Sequence, residues 1–201
     1  MQNRQIKHQR EEAILLSLKM LDYLSRSQIQ RLHDLKGDRN ARRVLNNMRE
    51  YLSCFRSDTG EYVYYLSKPG RERIGCETVR KKTAQVNHYL MRNDMYIHLK
   101  PEDWKNEVKI SVPNIVTVIP DAYYRYEMRR HFLEVDHLQS MLKNRKKIER
   151  YKKLKATGAM QEKLRYFPRL IWVTTTEHRR KQLIEWCEGL DCQVYLWDEI
   201  R

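Results

Sequence analysis

The sequence predicts an α/β protein, α+β overall, built as two domains. Three observations predict it. Apolar residues recur at helical spacing over residues 41–52 and are followed at once by a hairpin signal. Past Gly75 the pattern changes from helices in succession to strands alternating with helices, the mark of a sheet covered by helices. At 201 residues the chain is long enough for two small domains, each with its own core. The expected division is 1–75 and 76–201.

The elements of the first part follow from local chemistry. Residues 12–24 are apolar on most faces, as in a helix buried between neighbours, with Glu11 and Glu12 at its start. Ser27, followed by Gln30 three residues on, fits a capping box for a short second helix with Ile29, Leu32 and Leu35 inward. Gly37 ends that helix and Asp38 caps the next. In the third helix Ala41, Val44, Leu45, Met48, Tyr51 and Leu52 form one apolar face. Its other face carries Arg39, Arg42, Arg43, Asn46 and Asn47, with Arg49 at the flank. Arg and Asn are the residue types that bond guanine and adenine edges bidentately. Residues 53–55 and 61–66 then pair around Ser-Asp-Thr-Gly, with Arg56 near the tip, and Ser-Lys-Pro-Gly-Arg opens another short helix. This order is that of a winged helix-turn-helix, whose third helix enters the major groove of double-stranded DNA. Asp58 and Glu61 place negative charge on the hairpin, so the helix carries more of the expected contact than the wing.

In the second part, 83–99 reads as a helix, and strands are expected at 107–111, 114–119, 123–126 and 131–136. A long basic helix follows at 139–157, then a strand at 169–174, a helix at 177–188 and a strand at 193–197. Asp121 follows Pro120 at a strand edge, and Glu134 and Asp136 share one face of a strand because strand side chains alternate. Converging carboxylates of this kind can hold Mg²⁺, which takes oxygen ligands and can activate water toward a phosphodiester. Asp121, Glu134 and Asp136 are therefore the candidate catalytic and metal-binding residues.

Pro120-Asp121 followed by Glu134-Val135-Asp136 resembles the PD-(D/E)xK, restriction-endonuclease-like fold. That resemblance implies a mixed sheet flanked by helices and a Mg²⁺-dependent deoxyribonuclease site. The family's third motif residue is a lysine, where this chain has Asp136; Lys143, Lys146 and Lys147 on the following helix are the candidates for a displaced one. Over residues 12–175 the chain also resembles the replication-relaxation family of plasmids, phages and conjugative elements, through the Pro-Asp motif, Phe132-Leu133-Glu134-Val135-Asp136 and the basic helix reaching Tyr151. The family's polar Arg-Ser-Thr-Glu cluster is replaced here by His137-Leu138-Gln139-Ser140. This resemblance implies a DNA-binding protein of a mobile element, acting in replication, transfer or their control beside other replication or transfer proteins.

Composition agrees with a polyanion partner. Forty Lys and Arg against 26 Asp and Glu give +14, and neutralised phosphates release condensed counterions. Within the basic helix Lys143, Lys146, Lys147 and Arg150 are candidates for backbone phosphates. No apolar run reaches the roughly 20 residues of a membrane span, and residues 1–12 are polar where a signal peptide would be apolar. A cytoplasmic, nucleoid- or plasmid-associated protein without membrane contact is expected. The cysteines at 54, 76, 187 and 192 form no CxxC and read as reduced thiols. Two functions compete: a DNA-binding regulator or accessory protein with a degenerate nuclease domain, and a Mg²⁺-dependent endonuclease. DNA binding itself requires no cofactor, and a homodimer fits the paired half-sites that winged helices read.

Overall fold

A computed structural model describes residues 2–201, and its first helix, α1 (Gln2–Leu21), turns Ile14, Leu15, Leu18 and Leu21 into a core. The helix starts earlier than its apolar segment suggests, because a polar, exposed turn can extend a helix anchored further along. It stops at Asp22, whose φ of 69° leaves the helical region. The chain then forms β1 (Leu24–Ser25) and α2 (Arg26–Leu32).

Ser25, not Ser27, caps α2. Its hydroxyl accepts from the Gln28 N–H at 3.2 Å, and the Gln28 side chain accepts from the Ser25 N–H at 3.1 Å. Ser-Arg-Ser-Gln-Ile-Gln offers the capping box in two frames. Burial of Ser25 and its pairing with Val63 in the adjoining strand select the first.

Helix α3 (Asp38–Asn47) buries Ala41, Val44 and Leu45, and Gly37 rather than Asp38 is its N-cap. Asp38 lies in the first turn and pairs with Arg26 at 2.7 Å and Arg42 at 2.8 Å. The apolar period continues beyond the helix because Met48 stays buried in a turn and Leu52 opens β2 (Leu52–Arg56). Strand β2 pairs antiparallel with β3 (Tyr62–Leu66), and the sheet order is β1-β3-β2. Helix α4 (Lys68–Arg73) follows, with Ser67 as its cap and Pro69 in its first turn.

The chain divides into two compact units between Asn93 and Asp94, eighteen residues past the change of pattern at Gly75. The reason is a polar buttress on α5 (Val86–Leu99). Arg92 donates to the Leu21 carbonyl at 2.9 Å and to Asp22 at 3.0 Å, and Asn93 donates to the carbonyls of Leu21 and Tyr23. Segment 76–93 is therefore held by the end of α1.

The second unit is built on a five-stranded sheet of order β10-β9-β8-β7-β4. Its strands are β4 (Glu102–Asn106), β7 (Ala122–Tyr126), β8 (Arg129–Asp136), β9 (Arg169–Thr174) and β10 (Cys192–Leu196). Strands β8, β9 and β10 run parallel; β7 is antiparallel to β8 and β4 to β7. The strand expected at 107–111 is split. β4 precedes it, Glu107 takes φ 50°, and β5 (Ile110–Val112) pairs with β6 (Val116–Val118) in a separate ribbon. Helices α6 (Met141–Ala156) and α8 (Glu177–Trp186) supply Ile148, Tyr151, Leu154 and Leu183 to a core with Phe132, Leu170 and Trp172. Two short helices, α7 (Ala159–Leu164) and α9 (Trp197–Ile200), were not expected from the sequence.

Strand β8 is buried from His131 to Asp136, and alternation along it decides which face of the sheet each side chain takes. Phe132 packs against the Tyr151 ring of α6, Glu134 bonds residues of α6, and Asp136 bonds a residue of α8. The two acidic side chains are thus sent to the same helical layer by strand geometry alone.

Candidate nucleic-acid interface and acidic cleft

The polar face of α3 stands free of the core. Arg39, Arg42, Arg43, Asn46 and Asn47 are exposed, as is Arg49 just beyond the helix, because Ala41, Val44 and Leu45 take the inward positions. Arg43 is steadied by the Asn40 side chain at 2.8 Å, and Arg42 by Asp38. Between α3 and the β2–β3 hairpin runs a groove of about 530 Å³ lined by Arg26, Arg42, Asn46, Arg49 and Arg56. Arg56 lies over the Tyr62 ring at 5.0 Å, which holds its guanidinium at the hairpin edge. Of the hairpin's acids, Glu61 is turned to the Ser27 N–H at 2.9 Å, so its carboxylate serves the start of α2. Four arginines lining one concave face make an anion-attracting surface.

The acidic residues of the second unit do not assemble as a metal triad. Glu134 is buried, with one carboxylate oxygen taking the Lys147 ammonium at 2.5 Å and the other the Tyr151 hydroxyl at 2.7 Å. Burial and the charge of Asp121 push its carboxyl up to about 7, against the pull of Lys147 and Tyr151. Burial would lower Lys147, but Glu134 and Asp121 more than offset it and hold the ammonium above its ordinary range. Asp121 accepts the Val135 N–H at 2.7 Å, which ties the Pro-Asp turn to β8.

Asp136 faces a different cation. Arg179 clasps it through Nε at 2.7 Å and Nη2 at 2.5 Å, and Thr174 donates at 2.8 Å. Arg179 also reaches the Gln139 carbonyl. Burial raises the Asp136 carboxyl, but Arg179, Asn144 and Thr174 outweigh it and hold it below the ordinary range. Of the predicted three, then, Asp121 and Glu134 are electrostatic neighbours, and Asp136 is bound separately to α8.

Among the described residues, no group of three His, Cys, Asp or Glu side chains is spaced to hold a metal ion. The donors fit Mg²⁺ poorly for a further reason: both oxygens of Glu134 already meet a cation or a hydroxyl, and those of Asp136 meet a guanidinium. Of the residues expected to share a metal, Asp121 and Glu134 lie together, and Asp136 is tied to Arg179 instead. The buried carboxylate is neutralised by the chain's own lysine.

The replication-relaxation profile matches residues 15–170, more than half of the chain. The chain belongs to the replication-relaxation family. Among curated proteins nothing matches it. The crystal structure of protein VC1899 from Vibrio cholerae is similar at 11% identity with a TM-score of 0.35, over 96% of this chain and 53% of that one. The chain thus spans about half the length of that protein. Among the described residues no helix is long and apolar enough to cross a membrane.

Within this replication-relaxation protein, three of the four basic residues proposed on α6, Lys143, Lys146 and Arg150, are exposed, whereas Lys147 turns inward to Glu134. Lys147 was one of three candidates for a displaced lysine, and its contact with Glu134 separates it from Lys143 and Lys146. Two residues were missed. Tyr151 follows Lys147 by four, so helical spacing alone puts both on one side of α6. Arg179 had no local signal, since it meets Asp136 from 43 residues away.

Proposed function

We propose that this protein is a double-stranded-DNA-binding regulator or accessory protein of mobile-element replication or transfer. In this reading residues up to Asn93 form a winged helix-turn-helix, with α2 and α3 as the helix-turn-helix, α3 in the major groove and β2–β3 as the wing. The carrying observation is the exposed face Arg39, Arg42, Arg43, Asn46 and Asn47 on a helix whose other face is buried. Arginine and asparagine there can bond guanine and adenine edges, while Arg26, Arg49 and Arg56 are suited to flanking phosphates. The order of helices and strands and the β1-β3-β2 sheet support the assignment.

The second unit is, in the same reading, a nuclease-like fold that has given up hydrolysis. Its Pro-Asp turn and acidic strand are retained, but Lys147 and Arg179 occupy the carboxylates that a Mg²⁺-dependent endonuclease would need free.

Random-library duplex selection with the full chain tests the proposal. A defined site should emerge, and Arg43→Ala or Asn46→Ala should each weaken it by about 1–3 kcal/mol while sparing non-specific binding. A wild-type protein with one affinity for all duplexes would refute the reading. Mg²⁺-dependent cleavage of supercoiled DNA, abolished by Glu134→Gln, would instead establish the endonuclease.

A further inference from the structure

Beside Glu134 opens a cleft of about 550 Å³ that the duplex-binding reading leaves unused. Its volume falls within the roughly 300–1,000 Å³ usual for small-ligand clefts. One wall is the β6 ribbon, where Ile115 and Ile119 stand 47% and 52% exposed. The facing wall is α6, with Lys147, Arg150 and Lys153. Lys147 is engaged by Glu134 in the floor and is not presented at the rim. Arg150 and Lys153 make no ion pair among the described residues, and their charge is available at the rim. The cleft therefore offers an aliphatic wall on one side and uncompensated cations on the other.

A ligand matching both walls carries an anion joined to a flat, weakly polar body. A nucleotide has that form. A duplex keeps its base faces stacked and presents only edges and phosphates, so it cannot use the aliphatic wall; an unpaired strand can turn a base onto it. A strand is favoured over a free nucleotide by the length of the basic row. Lys143, Lys146, Arg150 and Lys153 recur at helical spacing along α6. At 1.5 Å rise per residue that row extends about 15 Å, more than one phosphate needs.

We infer that the cleft of the second unit holds one unstacked nucleotide of a DNA single strand, its phosphate at Arg150 and Lys153 and its base against Ile115 and Ile119. Lys146 and Lys143 meet the neighbouring phosphates. This site is independent of α3, so it stands or falls apart from the duplex reading.

The test uses the full chain with fluorescein-labelled oligothymidylate in an anisotropy titration, and a second strand bearing 4-thiothymidine for photocrosslinking. Crosslinks are expected on the 115–119 segment or on α6. Ile119→Asn should weaken strand binding by about tenfold at constant salt, the effect of losing one base contact, without changing duplex affinity. Arg150→Glu combined with Lys153→Glu should weaken it further and flatten its salt dependence. All three substitutions are on exposed side chains, and an unchanged circular dichroism melt establishes that the variants fold. Crosslinks confined to the first unit, or strand affinity unchanged by Ile119→Asn, overturn the inference. Competition by dTTP as effective per nucleotide as oligothymidylate overturns the assignment to a strand.

Discussion

Replacing Arg179 by Met tests whether Asp136 is a structural anchor rather than a reactive group. Asp136 is fully buried and accepts two bonds from Arg179 and one from Thr174. Arg179→Met keeps much of the stem's packing and removes the charge. Breaking a buried pair by deleting one partner costs about 3–5 kcal/mol, because the other charge stays buried. The lower end applies here, since Arg179 is itself 22% exposed and Thr174 still donates. About 3 kcal/mol is therefore expected at neutral pH, or a fall of roughly 6–12 °C in Tm for a chain of this length. The pH dependence has a definite sign. A carboxyl depressed in the folded state stabilises above its unfolded value, about 3.9, and that contribution is lost as pH falls through the folded value. In the variant the unpaired carboxyl takes a proton more easily, so the gap to wild type should narrow toward acid. Urea unfolding followed by tryptophan fluorescence measures this directly, because Trp104, Trp172, Trp186 and Trp197 all lie in the second unit. Adding Asp136→Asn to Arg179→Met should recover part of the loss. A deficit below about 1 kcal/mol at neutral pH, the worth of an exposed pair, would refute the argument.

Glu134 should give the opposite dependence on pH. Its folded value is raised to about 7, so its contribution is complete below the ordinary 4.5 and is lost as pH rises through about 7. Glu134→Gln should flatten the Tm-against-pH profile across that window by up to about 3 kcal/mol; parallel profiles would show that the carboxyl titrates normally. Gly70→Ala would set a Cβ 2.1 Å from the Tyr51 carbonyl oxygen, a backbone atom with little room to move. A loss of about 1–3 kcal/mol in thermal unfolding is expected, and an unchanged melt would mean that α4 shifts freely against the turn before β2.

Sequence alone determined what depends on local chemistry. The 3.6-residue period of Ala41, Val44 and Leu45 sets which face of α3 is buried, and hence that Arg39, Arg42, Arg43, Asn46 and Asn47 point outward. The apolar run 169–174 gave β9 to the residue, and the two-residue period of β8 put Glu134 and Asp136 on one face. Ambiguity entered where two local frames were equally good. Ser25 and Ser27 each precede a glutamine by three, and only the pairing of Ser25 with β3 separates them.

Tertiary structure alone decided the fate of the charges. Same-face carboxylates suggested a shared metal, but each met a different helix: Lys147 of α6 came to Glu134 and Arg179 of α8 to Asp136. The boundary between units moved for a similar reason, since Arg92 and Asn93 reach back about 70 residues to the end of α1. Spacing along a chain fixes which side chains leave an element in the same direction. Which partner waits there depends on how elements pack, and for a buried charge that partner decides whether the group is neutralised within the protein or left for a ligand.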